Sequence, residues 1–261
     1  MSKKILFFDI DGTLWDYKTN IPQSLPATIK AVQKAGNLCF INSGRTRAFI
    51  RDRRLLDLGF DGIVSGCGTR IECRGQVVFN YELDRDFALR AVETAKKYNF
   101  KMLLEGPEYL YMNKAEFEGN RFGNTVIEQM GADLKDLDSC APDWHFSKFS
   151  CLTLPEKREE GLATFATDFD ELVHDPLVAE FVPKPYTKAT GLLQTCSLLG
   201  LDAKDSFAFG DGINDVSMLK AAGTGIAMAS GRPPAIEVAD YVTSGVMEDG
   251  ILNACRHFSL L

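Results

Sequence analysis

The stretch Ile5-Leu6-Phe7-Phe8-Asp9-Ile10-Asp11-Gly12-Thr13-Leu14 decides the fold of this chain. Its first four residues form a short, continuous apolar run, which predicts a buried strand of a parallel sheet. Along an extended backbone Asp9 and Asp11 point to the same side, and Gly12 permits a tight turn directly after them. Two adjacent carboxylates repel each other, so the pattern indicates a bound cation, and oxygen ligands favour Mg²⁺. An acidic turn that caps a helix is the alternative, and this stretch alone leaves it open.

The composition is that of an ordinary globular protein, with 45% hydrophobic and 25% charged residues. A length of 261 residues accommodates one large core and a second unit, because a domain commonly holds about 150 residues. The net charge of -7 argues against nucleic acid as a partner. It does not argue against a phosphorylated small molecule, because a single site can be cationic inside an acidic protein.

The seven cysteines indicate free thiols rather than a disulfide framework or a zinc site. Their number is odd, none of them forms a C-x-x-C pair, and several lie in apolar runs, as Cys39 does. No signal peptide precedes the first strand, and no apolar stretch is long enough to span a membrane. We therefore expect a cytoplasmic protein with no membrane partner. The sequence leaves its oligomeric state open.

Strands and helices alternate at both ends of the chain. Apolar spacing predicts helices over residues 24–34, 46–58, 188–199 and 216–222. Short apolar runs predict strands over residues 5–8, 38–41, 62–65, 206–209, 225–228 and 241–243. This alternation is typical of a parallel sheet whose strands are joined by right-handed crossovers.

The middle of the chain has a different order of predicted helices and strands. Helices are predicted over residues 86–98, 122–130 and 156–165, and strands over 101–105, 109–113, 149–154, 171–174 and 179–182. We therefore predict an α/β fold with a doubly wound parallel, Rossmann-like core sheet and an inserted α+β cap domain. The core would comprise residues 1–82 and 185–261, and the cap residues 83–184.

Four polar segments follow predicted core strands or begin predicted helices: Asp9 with Asp11, Ser43 with Gly44, Lys188, and residues 210–215. Ligands bind outside the carboxyl ends of the strands in such sheets. Ser43 and Gly44 precede a predicted helix, whose free N–H groups suit a phosphate. Each segment alone also has a structural explanation: a helix cap, a solvated lysine or a capping loop. Together they favour one site.

Four segments resemble, in order, the four motifs of the haloacid dehalogenase-like (HAD) phosphatases. They are Asp9-Ile10-Asp11-Gly12-Thr13-Leu14, Ile41-Asn42-Ser43-Gly44-Arg45, Lys188-Ala189-Thr190-Gly191-Leu192 and Gly210-Asp211-Gly212-Ile213-Asn214-Asp215. The position and length of the insertion are similar to those of the Cof-type subfamily, which has the larger α/β cap (type IIB). The four motifs in this order are highly specific for the family.

The resemblance implies a phosphatase that acts on a small phosphorylated metabolite, such as a sugar phosphate, a nucleotide or a cofactor phosphate. Asp9 would be the nucleophile that forms an aspartyl-phosphate, and Asp11 the general acid and base. The Asp9 carboxylate, the Asp11 backbone carbonyl, Asp211 and Asp215 would bind Mg²⁺, Asp215 either directly or through water.

The resemblance also assigns the residues that bind the phosphoryl group. Ser43, the Gly44 amide, Lys188 and Asn214 would contact its oxygens. Selectivity would come from the cap, where the candidate residues that contact the leaving group are Glu105, Tyr109, Tyr111, Asn113, Trp144 and His145.

Two other functions stay open: a phosphomutase on the same core, and a phosphate-binding protein without turnover. The fourth motif differs from that of phosphomannomutases, and a protein that only binds should have lost Asp9 or Asp11. A dehalogenase would not need the metal ligands Asp211 and Asp215. One departure from the family pattern is Cys67-Gly68, where relatives often have Asn-Gly.

Overall fold

The computed structural model describes residues 3–175 and 177–261. The chain divides into two compact units, the first comprising Met1–Gly44, Asp52–Asn80 and Tyr186–Leu261 and the second Arg45–Arg51 and Tyr81–Pro185. The first unit contains a sheet of eight strands and the second a sheet of six. Within the described residues, no helix has both the length and the apolar character that a membrane crossing requires.

The elements are numbered in chain order. The described strands are β1 (Ile5–Phe8), β2 (Leu38–Asn42), β3 (Gly62–Ser65), β4 (Arg70–Cys73), β5 (Gln76–Asn80), β6 (Lys101–Glu105), β7 (Leu110–Tyr111), β8 (Leu134–Lys135), β9 (Lys148–Leu152), β10 (Phe169–Asp175), β11 (Val178–Pro183), β12 (Ser206–Gly210), β13 (Thr224–Met228) and β14 (Tyr241–Thr243). The described α-helices are α1 (Leu25–Lys34), α2 (Arg53–Leu56), α3 (Arg85–Lys97), α4 (Arg121–Met130), α5 (Arg158–Phe165), α6 (Lys188–Leu198), α7 (Val216–Ala221), α8 (Pro233–Val238) and α9 (Gly250–His257).

The sheet of the first unit has the strand order β14-β13-β12-β1-β2-β3-β4-β5. The strands from β14 to β3 are parallel, and β1 lies between β12 and β2. All four residues of β1 are buried, which explains why its sequence is continuously apolar instead of alternating. The predicted doubly wound α/β core is therefore confirmed. The antiparallel hairpin β4–β5 was not predicted.

The prediction of one continuous helix over residues 46–58 is wrong. A 3₁₀ turn covers Arg47–Phe49, and after a break the four-residue helix α2 begins. The Asp52 side chain accepts a hydrogen bond from the Arg54 backbone N–H, so it caps a new helix where the prediction required a continuous one. Ala48 packs in a hydrophobic cluster of the second unit with Leu103. Tertiary packing therefore overrides the local helical pattern.

The sheet of the second unit has the order β10-β11-β9-β6-β7-β8. Its pairs are antiparallel except β7 with β8. Aromatic side chains from three of its strands pack against Phe165 of α5; they are Phe149, Phe169 and Phe181. The prediction of mixed helices and strands in the middle of the chain is confirmed, although the strand predicted over residues 109–113 contains only Leu110–Tyr111.

Candidate active site

The central position of β1 brings three chain segments to one edge of the first unit's sheet. Its register pairs Phe8 with Phe209 of β12 on one side and with Ile41 of β2 on the other. The ladder continues past the strand end, because the Asp9 backbone N–H donates to the Phe209 carbonyl at 3.0 Å. The segments after β1, β2 and β12 therefore leave the sheet at the same edge, as expected for parallel neighbours.

Gly12 allows the turn after β1 to lie directly against the loop after β12. Its φ is +87°, in the left-handed region that favours glycine. A Cβ atom at this position would lie only 2.2 Å from Oδ2 of Asp211. The glycine is therefore required both by its backbone conformation and by the nearby carboxylate.

Lys188 is the first residue of α6, and the local sequence fixes it there. Thr187 caps the helix and forms a capping box with Thr190. The Asn42 side chain, at the end of β2, donates to the Lys188 carbonyl at 2.9 Å. The predicted helix start is therefore confirmed, and the Lys188 backbone is held against the carboxyl end of β2.

The Lys188 ammonium bridges two of the predicted site carboxylates. Its Nζ donates to Oδ1 of Asp9 and to Oδ1 of Asp215, both at 2.5 Å. The Lys188 and Asp215 side chains are fully buried, and that of Asp9 is almost so. Charge-assisted hydrogen bonds of this kind are strong when water is excluded, so the three groups form one rigid unit.

Asp215 also organises the loop that carries Asp211. Its Oδ2 accepts hydrogen bonds from the backbone N–H groups of Asp211 and Gly212, at 2.9 and 2.8 Å. Asp9, Asp211 and Asp215 each offer one carboxylate oxygen, and these three oxygens lie within 4.8 Å of one another. Three buried oxygen donors at this spacing form a donor set of the kind that binds hard divalent cations.

The electrostatics of the site indicate an excess of negative charge. Burial raises the pKa of Asp9 above its ordinary value, an effect that Lys188 opposes and that Asp215 and Asp11 reinforce. Burial raises the pKa of Asp211 to about 6. Burial alone would lower the pKa of Lys188, but Asp215 and Asp9 raise it, so the ammonium stays charged. One ammonium does not balance these carboxylates, and a cation would fit beside them.

The other predicted site residues lie on the same loops. Asp11 is in the turn after β1, and its Oδ1 accepts a hydrogen bond from the Trp15 indole N–H at 2.9 Å. Ser43 is buried directly after β2, and Gly44 and Asn214 are half-buried on the loops after β2 and β12. The structure therefore brings Asp9, Asp211, Asp215 and Lys188 into contact range and places the rest on adjoining turns.

Ser43 and Gly44 do not begin a helix, which corrects the sequence-based expectation. The next helical turn starts only after Thr46, and it is a short 3₁₀ turn. The Ser43 backbone instead continues the sheet, because its N–H donates to the Val64 carbonyl at 2.9 Å and its carbonyl accepts from the Cys67 N–H at 3.1 Å. Phosphate binding at this turn would therefore depend on the Ser43 hydroxyl and on single backbone amides.

Two residues of the site region were missed by the sequence analysis, Trp15 and Tyr17. The Tyr17 hydroxyl donates to Oδ2 of Asp211 at 2.5 Å, and the Trp15 indole contacts Asp11 as described above. The only sequence signal was the presence of two aromatic residues with polar hydrogens within six positions of the acidic pair.

The cap candidates are placed within the second unit. Glu105 is buried, accepts a hydrogen bond from the Ser150 hydroxyl at 2.7 Å and pairs with Lys148 at 3.3 Å. Burial raises the pKa of Glu105, and Lys148 opposes this rise. The Trp144 indole N–H is bound to the Leu137 carbonyl at 2.8 Å. Substrate contact by these residues, and by Tyr109, Tyr111, Asn113 and His145, stays a prediction.

The chain is similar to proteins of known class over its whole length. A family model described as haloacid dehalogenase-like hydrolase matches residues 6–255. The putative phosphatase YkrA of Bacillus subtilis (strain 168) is 30% identical, and the alignment covers 100% of both chains. The 5-amino-6-(5-phospho-D-ribitylamino)uracil phosphatase YcsE of the same organism is 40% identical, over 98% of this chain and 96% of YcsE.

Among solved structures, that of BT4131, described as a HAD subclass IIB sugar phosphatase, has a TM-score of 0.84 and is 25% identical. The match covers 99% of this chain and 100% of BT4131. The protein belongs to the haloacid dehalogenase-like hydrolase family, in its Cof-type branch. It is a phosphoric monoester hydrolase.

Proposed function

We propose that the protein is a Mg²⁺-dependent phosphatase that hydrolyses a small phosphorylated metabolite through an aspartyl-phosphate on Asp9. The observation that carries this proposal is the buried unit in which the Lys188 ammonium holds Asp9 and Asp215 beside Asp211. Burying more carboxylates than cations lowers the stability of the folded protein. The protein would keep such a cluster because it binds a metal ion and presents one carboxylate to phosphorus.

The donor chemistry of the site fits the metal. The carboxylates of Asp9, Asp211 and Asp215, together with the Asp11 backbone carbonyl, would hold Mg²⁺. When bound, the metal supplies positive charge that lets an anionic nucleophile approach an anionic phosphate.

The residues divide the two chemical steps between them. In the first step an Asp9 oxygen attacks phosphorus, the bond from phosphorus to the leaving oxygen breaks, and protonated Asp11 transfers its proton to that oxygen. In the second step the Asp11 carboxylate takes a proton from water, the water oxygen attacks phosphorus, and the Asp9–phosphorus bond breaks. Asp9 and Asp11 are then in their starting states, and phosphate is released.

The remaining site residues bind the group that is transferred. The Ser43 hydroxyl, the Gly44 amide and the Asn214 side chain would donate to phosphoryl oxygens, and Lys188 would balance their charge. Residues 83–184 would form the cap that selects the leaving group, and residues 1–82 and 185–261 the core that carries the chemistry. Cytoplasmic location is part of the same proposal.

A panel of phosphorylated metabolites tests the proposed function. Since relatives are described as a sugar phosphatase and as a 5-amino-6-(5-phospho-D-ribitylamino)uracil phosphatase, the panel should begin with phosphorylated sugars and polyols and extend to nucleotides and cofactor phosphates. We expect release of inorganic phosphate from at least one ester. Movement of phosphate between substrate hydroxyls without release would instead indicate a phosphomutase, and binding without either product would indicate a binding protein.

Removal of divalent metal should abolish activity. Activity is expected to fall at least about 100-fold after dialysis against chelator and to return with Mg²⁺, because the cation offsets the charge between Asp9 and the phosphate. Ca²⁺ should restore little, since it prefers more ligands at about 2.3–2.6 Å. Initial rates after metal readdition provide the measurement, with a chelator-treated sample that has been reloaded with Mg²⁺ as the control. Undiminished turnover in excess chelator would exclude a required metal.

A further inference from the structure

Two aromatic residues after the first turn each donate a hydrogen bond to a site carboxylate. The Trp15 indole N–H donates to Oδ1 of Asp11 at 2.9 Å. The Tyr17 hydroxyl donates to Oδ2 of Asp211 at 2.5 Å. The two acceptors come from distant parts of the sequence, and the proposed function gives them different tasks, acid–base catalysis for Asp11 and metal binding for Asp211.

The hydrogen bond of Tyr17 is not a by-product of core packing. The residue is 69% exposed, so its ring gains little free energy from burial. The Tyr17 hydroxyl nevertheless reaches Asp211, whose Oδ2 also lies close to Gly12. A carboxylate has two oxygens, and a donor on Oδ2 leaves Oδ1 to face a different ligand.

Trp15 is held in place more firmly. It is only 4% exposed, its carbonyl accepts from the Gly12 N–H at 2.9 Å, and the Arg54 guanidinium lies 5.8 Å from its ring centroid. An indole N–H can donate but cannot accept a proton. It can therefore orient the Asp11 carboxylate without competing for the proton that Asp11 transfers.

The turn that follows fixes the path of the segment between the two aromatic residues. The Asp16 carboxylate accepts hydrogen bonds from the backbone N–H groups of Lys18 and Asn20, at 2.9 and 2.8 Å, and from the Asn20 side chain at 2.9 Å. Such a turn stabilises one backbone conformation. Trp15 and Tyr17 are therefore presented to their carboxylates by a segment that is ordered by its own contacts.

We propose that Trp15 and Tyr17 are positioning residues, Trp15 for the proton transfer at Asp11 and Tyr17 for the metal-binding geometry of Asp211. This proposal rests on the proposed function, because it presupposes the roles of both carboxylates. The segment after Asp11 would therefore have two separate tasks, one at Asp11 and one at Asp211. Removing the hydrogen bond of Trp15 should affect only the proton transfer, and removing that of Tyr17 should affect only metal binding. Loss of a hydrogen bond to a metal-ligating residue commonly costs ten- to 100-fold in metal affinity.

The test compares Tyr17→Phe and Trp15→Phe in two measurements. Calorimetric titration with Mg²⁺ in the absence of substrate should show affinity about tenfold weaker for Tyr17→Phe and unchanged for Trp15→Phe. At saturating Mg²⁺, kcat for an alkyl phosphate should fall about tenfold or more for Trp15→Phe, with less effect on p-nitrophenyl phosphate, whose leaving group needs little protonation. For Tyr17→Phe, the loss of activity should be largest at low Mg²⁺ and should become smaller as Mg²⁺ is raised toward saturation.

Tyr241→Phe is the matched control, because it removes a hydroxyl from a residue of β14 that stacks on His257; it should change neither measurement. If Trp15→Phe unfolds, benzothienylalanine at position 15 keeps the ring shape and removes only the N–H.

The outcomes separate this proposal from the proposed function. Equal losses of metal affinity and kcat in both variants, or equal effects of Trp15→Phe on the two esters, overturn the positioning roles while the wild type still binds Mg²⁺ and releases phosphate. A wild-type protein that neither binds Mg²⁺ nor releases phosphate overturns both proposals together.

Discussion

Asp9→Asn will abolish phosphate release while leaving the fold intact. The amide is nearly isosteric with the carboxylate but cannot attack phosphorus, so kcat should fall at least about 10⁴-fold. The fold should tolerate the change, because burial already disfavours the ionised form of Asp9 and Lys188 keeps its second partner, Asp215. Phosphate release by the purified variant is measured alongside its thermal unfolding temperature.

Asp57→Asn is the matched control for this experiment. Asp57 pairs with Arg53 at the protein surface, where an ion pair contributes at most about 1 kcal/mol, so activity and stability should both remain close to the wild type. Beryllofluoride, which mimics an acyl phosphate, should bind the wild type and not Asp9→Asn. Near-normal turnover by Asp9→Asn would rule out the covalent mechanism.

Lys188→Met will both destabilise the protein and remove activity. Methionine approximates the volume of lysine but leaves Asp9 and Asp215 buried beside each other without the ammonium. Breaking a buried ion pair from one side typically costs about 3–5 kcal/mol. We expect a decrease of that size in the free energy of unfolding without metal, measured by chemical denaturation, and a fall in kcat of at least about 1,000-fold, since the phosphoryl group also loses its cation.

Two comparisons make the Lys188 experiment specific. Mg²⁺ should stabilise Lys188→Met more than it stabilises the wild type, because a ligand that binds only the folded state adds stability and the variant lacks another cation. Lys220→Met removes an exposed lysine from α7 and should be neutral. A loss of less than about 1 kcal/mol in Lys188→Met would show that the bridge between the two aspartates is not an important stabilising contact.

The sequence predicts the core of this molecule well because its signals there are local. The continuous apolar run of β1 predicts a buried parallel strand, and the structure places it between β12 and β2. The start of α6 at Lys188 follows from a threonine cap and its partner three residues later. Both features depend on residues that are adjacent in the sequence.

The failures have both local and non-local causes. The helix predicted over residues 46–58 is interrupted because Ala48 packs with residues of the second unit and Asp52 caps a separate helix. Trp15 and Tyr17 were not predicted because apolar spacing does not reveal which carboxylate a side-chain donor will bind. In the case of Tyr17 the acceptor, Asp211, lies 194 positions away in the sequence. The roles of the site residues themselves remain predictions, which the Asp9 and Lys188 variants address.

The pairing of β1 with β12 has a consequence for biosynthesis. Asp9 leaves the ribosome before its partner Lys188, which follows 179 positions later, after the second unit. Until β12 is translated, one edge of β1 has no strand to pair with, and such open edges are prone to wrong associations. The nascent chain therefore carries Asp9, the proposed nucleophile, without the lysine and the two aspartates of the site until β12 and the loop after it have been translated, and only then can these groups come together.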